Sequence, residues 1–225
     1  SKLDQPIQLV LNQARAAKLR VNIHTVSEDA DDETAPLMQG LYRRIERDSN
    51  ADQARLWALD RAVKCGRGAY RVNTKWDEDS GDTLDQEIVI EPILYQDAVY
   101  FDPSSERPDK SDADWAFVVA WWSLEKLRRE YPDSRAAVEG EDSTVDALEW
   151  ESLTQEAPEW VREDGEEKGI LVAEYWYKEH NRVKKMVRGR QYERDDVKVC
   201  RVTMTGFEIL DKVDWNGRYI PLIPV

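Results

Sequence analysis

Apolar positions in the first third of the chain recur every three to four residues. Over 4–19, Ile7, Val10, Leu11 and Ala14 fall on one side of a helix. After an acidic loop at 27–32, a second stretch runs to about Arg47 with Leu37, Leu41 and Ile45 on one stripe. Asp31 or Asp32 suits its N-cap, and Glu33 suits the positive end of the helix dipole. Asp48-Ser49-Asn50 reads as a break and a new cap. A third helix follows over about 51–64, with Leu56, Leu59 and Val63 inward and Gly66 placed to stop it.

The period then falls to two. Residues 69–76 and 86–91 each alternate, and the polar turn 77–82 between them predicts an antiparallel hairpin. Tyr95–Phe101 predicts a short strand closed by Asp102-Pro103, with an irregular loop to about Asp114. Residues 115–122 are apolar nearly throughout, which predicts a central strand buried on both faces. Ser123 caps a short helix, 124–131, that Pro132 stops.

The stretch 133–169 breaks both patterns. From Glu139 to Glu167 it holds twelve acidic residues and one basic residue, Arg162, interrupted by Trp150, Leu153, Trp160 and Val161. A loosely packed excursion with a short helix, docked by its tryptophans, is expected. Strand candidates then follow at 170–178, 182–189, 196–204 and 207–214, broken at Asn181, Gly189 and Gly206, and Asn216-Gly217 signals a two-residue hairpin. The expected fold class is α+β: N-terminal helices followed by mostly antiparallel strands. Three segments are expected: a helical and β region at 1–132, an acidic excursion or linker at 133–169, and an antiparallel β subdomain at 170–225.

Composition narrows the function classes. A formal net charge of −14 opposes a nucleic-acid-binding role for the chain as a whole. Nine Trp and nine Tyr supply enough apolar area to oppose general disorder. Cys65 and Cys200 lie far apart with no His beside them, which opposes a zinc site and favours two reduced thiols. No apolar run of about 18 residues and no secretory leader pattern is present in these residues. The apolar ending Ile220-Pro221-Leu222-Ile223-Pro224-Val225 and a start inside a helix are read as cuts in a longer protein.

Candidate chemistry is sparse. Trp121, Trp122, Glu125 and Asp114 can be drawn as a sugar platform with two carboxylates, against a plain strand with solvated charges at its ends. Asp109, Asp112 and Asp114 lack the glycine and spacing of a calcium loop, so a cap or solvated loop is the better reading. His24 and His180 receive no role. Gly66-Arg67-Gly68 follows a helix, whereas a phosphate cradle needs a strand before it. One basic concentration stands out, from Lys178 to Arg201, in which Lys184, Lys185, Arg188, Arg190 and Arg194 are the candidate contact residues. Three readings stay open for it: DNA contact, an intersubunit contact with the acidic 139–167 stretch of a neighbouring copy, or a solvated hairpin face.

Several segments, in order, resemble the portal proteins of short-tailed phages. They are Asn12-Gln13 with Ile23, Arg44, Ile45 and Ser49–Ala54, and Gly66-Arg67-Gly68-Ala69-Tyr70-Arg71-Val72. Ile88-Val89-Ile90-Glu91-Pro92-Ile93 followed by Val99-Tyr100-Phe101-Asp102-Pro103 is the most specific piece. The loop 109–114, Val183-Lys184-Lys185, Gly206–Leu210 and Ile220-Pro221-Leu222 also fit, whereas 133–169 lies outside the resemblance. The resemblance implies a non-enzymatic structural protein whose fragment here is the N-terminal half, portal wing-like, its last strands leading toward stem and clip. It implies a homo-oligomer, a dodecameric ring at one capsid vertex of the virion, assembled in the bacterial host cytoplasm. It further implies terminase, capsid and tail or adaptor proteins as partners, with double-stranded DNA passing the channel in packaging and ejection. It implies no cofactor and no membrane. Two other classes stay open: a carbohydrate-active hydrolase with a Trp-lined cleft, and a small DNA-binding adaptor.

Overall fold

A computed structural model describes residues 3–17, 21–25, 34–76, 85–135, 137, 169–187, 190–206 and 208–225. In chain order the elements are helices α1 (Asp4–Ala16), α2 (Thr34–Asp48) and α3 (Ala51–Cys65), then strands β1 (Ala69–Trp76) and β2 (Gln86–Pro92). A 3-10 turn at Gln96–Ala98 leads to β3 (Val99–Phe101), β4 (Trp115–Ser123) and helix α4 (Leu124–Glu130). Strands β5 (Gly169–Val187), β6 (Arg190–Met204), β7 (Ile209–Trp215) and β8 (Leu222–Pro224) complete the chain. Helices come first and antiparallel strands follow, which is the expected α+β class. The acidic loop 27–32 with its caps, the turn 77–82 and the tryptophans expected to dock the acidic excursion lie outside the described residues.

The chain forms two compact units, residues 1–96 with 221–225, and residues 97–220. The sheet of the second unit draws strands from both sides of the acidic stretch.

In the first unit β1 is central, flanked by β2 and β8, both antiparallel to it. The hairpin register pairs Tyr70 with Pro92 and Trp76 with Gln86. Helix α3 buries Ala51, Ala54 and Ala58, with Ala51 and Ala54 against Ile90 in a core that Ile45, Tyr70 and Val72 surround. Leu56, Leu59 and Val63, expected inward, are only half-buried. The small face wins because it lets backbones approach closely. Gly68, at the entry to β1, lies so near the Ala58 carbonyl that a Cβ there would sit 1.9 Å from its oxygen. The other helices also differ from the expected stripes. In α1 Leu11 is buried but Val10 is exposed, and in α2 Leu37 and Leu41 are exposed while Ile45 packs inward.

Local signals at helix ends hold in part. Gly66 ends α3 in the left-handed conformation (φ 79°), where an absent Cβ removes the steric cost. Asn50 makes the break before α3 with φ 50°, but its side chain bonds the Gln53 side chain (2.6 Å) and does not cap a backbone N–H. Buried Gln96 acts as a substitute strand partner. Its carbonyl accepts from Ala69 N (2.5 Å), and its amide donates to the carbonyls of Ala69 (3.3 Å) and Ile93.

The second unit is a five-stranded antiparallel sheet in the order β3-β4-β5-β6-β7. Ala116, Val118, Val172, Trp176 and Val199 are buried on one face, with Trp215 edge-on to Trp176 at 5.3 Å, and Cys200 and Val202 are buried on the other. Helix α4 presses Leu124 and Leu127 onto Val172, and Ser123 Oγ caps it by accepting from Lys126 N (3.3 Å). Of the run 115–122, expected to be buried on both faces, Ala116 and Val118 are buried, and the other six residues, on both faces of the strand, stay partly exposed.

Two other strand expectations are corrected. The run 170–178 and residues 182–187 of the run 182–189 form a single strand, β5, through Asn181, which pairs with Asp196. Asparagine tolerates a turn but does not force one, and 178–187 holds no glycine or proline. Asn216-Gly217 does not make a hairpin, because β8 leaves β7 and pairs with β1 through Ala69–Pro224 and Arg71–Leu222.

Candidate functional site

The basic concentration of the sequence becomes a protruding β-ribbon. Strand β4 accompanies β5 only as far as the Trp115–Tyr177 pair, and β7 accompanies β6 only as far as Val199–Trp215. Beyond these points, among the described residues, β5 and β6 pair only with each other, to Val187 and Arg190. At about 3.3 Å per residue, the ten residues 178–187 span roughly 30 Å.

The root of the ribbon is tied down. Lys178 N donates to the Asp114 carbonyl (2.8 Å), and Lys178 Nζ donates to the Ser111 carbonyl (2.9 Å). His180 Nε2 lies 3.0 Å from Asp114 Oδ1, so this histidine is strand-borne, not beside a turn. Lys212 reaches Glu179 (3.3 Å) and Lys198 reaches Asp214 (2.7 Å). The Asp214 carboxylate beside Lys198 raises that ammonium above the usual lysine range and is itself lowered in return.

Farther out, Arg182 faces Asp195 (3.8 Å) and Lys184 faces Glu193 (3.7 Å), all four well exposed. The backbone register sets Lys185 opposite Tyr192, Arg194 opposite Val183, and Arg190 opposite Val187. Arg188 lies outside the described residues. The fold therefore brings Lys184, Lys185, Arg190 and Arg194 onto one ribbon, with Lys184 on the opposite face of the pleat from the other three positions.

The other face of the sheet carries a partly exposed aromatic row, beside buried Cys200 and Val202, that no single segment of the sequence announces. Tyr100 stacks on Phe117 (4.7 Å), Trp115 on Phe117 (5.7 Å), and Tyr175 on Tyr177 (5.5 Å), with Phe117 tilted against Tyr175 (6.5 Å). Alternation within 115–122 is the available signal, and it is masked because both faces of β4 are apolar.

The acidic loop before β4 folds on itself. Asp102 accepts from Ser104 N (2.8 Å), Ser104 Oγ (2.6 Å) and Asp114 N (3.2 Å). Asp112 accepts from Ser105 Oγ (2.5 Å), Glu106 N (2.8 Å) and Arg107 N (3.2 Å). These bonds, that of Ser105 first, hold the Asp112 carboxyl down to about 2. Its folded pKa lies below the unfolded 3.8, so its contribution is complete above that value and is lost as pH falls toward about 2. The amide resonances of Glu106 and Arg107 are expected to titrate together near pH 2, and Asp112→Asn to abolish that titration. Titration near the ordinary aspartate value would show that these bonds are absent.

The carboxylates of the proposed sugar cleft do not converge. Asp114 precedes β4 and Glu125 follows it, which places them roughly 30 Å apart along the strand. Retaining and inverting glycosidases hold their pair within about 5–10 Å. Trp122 instead stacks on Tyr131 (6.4 Å) beneath Lys126 Nζ (3.8 Å from the ring centroid). Cys65 is exposed and Cys200 buried, and both are free thiols. Among the described residues no group of three His, Cys, Asp or Glu could hold a metal, and no helix is long and apolar enough to cross a membrane.

Comparison with known proteins agrees with the resemblance. A portal protein of Acyrthosiphon pisum secondary endosymbiont phage 1 is 30% identical over 135 residues, which is 58% of this chain and 18% of that relative. The match thus spans under a fifth of the relative's length. The family model described as phage P22-like portal protein matches residues 2–225, nearly the whole chain. The match takes in both compact units and the acidic stretch between α4 and β5, and on that coverage the chain belongs to the phage P22-like portal protein family.

Proposed function

We propose that this chain is part of a structural subunit of a phage portal ring. Such a ring forms the channel at one capsid vertex for DNA packaging and ejection, and docks the terminase, capsid and tail proteins. The observation that carries the reading is the family match over residues 2–225. The surface supports it. Leu37 is 72% exposed, with Met38 and Leu41 beside it on α2, and the sheet of the second unit leaves its aromatic row partly uncovered. Exposed apolar surface of this kind marks sites where protein meets protein. The work is done by shape and contact, as a homo-oligomer, a dodecamer, in the virion, after assembly in the host cytoplasm. The domain reading that goes with it is a wing-like region, 1–132, an acidic excursion, 133–169, and a β subdomain, 170–225, leading toward stem and clip.

Electron microscopy of the full-length protein tests the proposal. Closed rings with a central channel are the expected result. Discrete monomers at every concentration, with no ring, would remove it.

A further inference from the structure

We infer that the β5–β6 ribbon is an intersubunit arm, which seats on an acid-rich surface of a second copy of this chain. The inference rests on the portal reading, since that reading supplies the second copy, and it names the partner of the ribbon.

Past Tyr177 and Val199 the ribbon has no strand on either side among the described residues. Two strands alone are marginal in water, and a third strand or a packing surface is normally required. The ribbon also exposes apolar groups that solvent does not favour: Met186 is 78% exposed and Val183 36%. A surface that covers them would stabilise both the ribbon and the contact.

Residues 178–201 hold nine basic and four acidic side chains, inside a chain whose formal net charge is −14. The ribbon is therefore positive and the remainder of each copy strongly negative. Identical copies around a ring present this positive arm to a negative neighbour at every interface. Such a contact is heterologous, head to tail, and that is the type that closes rings.

The make-up of the arm suits a protein surface better than DNA. The arm is not a uniform row of cations. Arg182 and Lys184 already face Asp195 and Glu193 across the strands, which blunts their attraction for phosphate. Apolar positions alternate with the basic ones. Val183, Lys185 and Val187, with partners Arg194, Tyr192 and Arg190, occupy one face of the pleat. A phosphate backbone makes no use of exposed valine and methionine, whereas a protein interface pairs arginine with apolar and aromatic groups. The overall negative charge further opposes approach to DNA.

Two measurements on the full-length protein test the inference. Light- and heavy-nitrogen-labelled copies are mixed and assembled, then treated with a carbodiimide, which joins lysine to carboxylate without a spacer. Links from Lys184 or Lys185 to Asp or Glu of the other label are expected. Ribbon lysines linked only within their own copy would overturn the inference, and this readout needs no mutant. In the second measurement Lys185, Arg190 and Arg194 are all replaced by glutamate. The concentration for half-assembly is expected to rise at least about tenfold, with circular dichroism and the melting profile unchanged. Added salt should weaken assembly of the unaltered protein in the same direction. An unchanged assembly curve for the triple variant overturns the inference. If assembly is unchanged but DNA retardation in a gel is lost, the partner is DNA and the inference is likewise overturned. Failure of the unaltered protein to form rings would instead overturn the portal reading beneath it.

Discussion

Gly68→Ala is expected to destabilise the first unit by at least about 3 kcal/mol, the largest effect of any single methyl addition among the described glycines. The added Cβ would lie 1.9 Å from the Ala58 carbonyl oxygen and 2.8 Å from its carbon. Both are backbone atoms of α3, so no side chain can rotate away. Relief requires α3 to lift from β1, and that opens the contact made by buried Ala51 and Ala54 with Ile90. The hydrogen bond from Val225 N to the Gly68 carbonyl, which anchors the last strand, would be disturbed as well. Gly66→Ala is the natural comparison. Gly66 has φ 79°, but a methyl group added there would meet no atom within 4 Å. Only backbone strain of about 1 kcal/mol therefore opposes alanine at that position. Urea unfolding followed by protection of the β1 amides reads both variants. A Gly68→Ala midpoint no lower than that of Gly66→Ala would show that α3 and β1 are not in this close approach.

Trp176→Ala is the second large expected effect, a loss of about 3–5 kcal/mol from the second unit. Trp176 is only 2% exposed and is the largest fully buried side chain among the described residues. Its ring meets Trp215 edge-on, and its Nε1 donates to Glu174 Oε1 (3.0 Å). Alanine would leave a cavity between β5 and β7 and would strip Glu174 of a donor. Trp176→Phe keeps most of the apolar area and should lose much less. Trp76, 60% exposed at the end of β1, supplies the control, and its alanine variant should differ little from the parent. Thermal unfolding monitored through the sheet amides distinguishes them. Equal melting profiles for Trp176→Ala and Trp76→Ala would contradict the burial of Trp176 beneath Trp215.

Element type and order are legible in the residue string. The three early helices, the 69–76 and 86–91 hairpin and the Ser123-capped helix occur where periodicity places them, whereas two of the four expected late strands run as one. The candidate site is legible in part. Charge density marks out 178–201, but nothing in the string shows that β4 and β7 stop short of the ribbon's outer part. Asn181 suggests a break because asparagine is common in turns, yet the ladder runs through it unbroken, with Asn181 opposite Asp196 and Arg182 opposite Asp195. The aromatic row escapes for a related reason: Tyr100, Phe117 and Tyr175 come from three strands, and only the sheet order makes them neighbours.

What the residue string determined by itself was local: helix against strand, the Gly66 stop, the Ser123 cap and the sign of each charged stretch. These depend on dihedral preferences and on periodicity within a few residues, so no distant partner is needed to read them. The tertiary structure alone decided which faces are covered. It put the alanines of α3 inward in place of its leucines, left Leu37 and Leu41 of α2 exposed, and sent β8 to β1 past an Asn-Gly turn signal. Each of those outcomes depends on how closely two distant backbones can approach and on which remote surface is free to receive a side chain, and neither quantity is encoded in any short window of sequence.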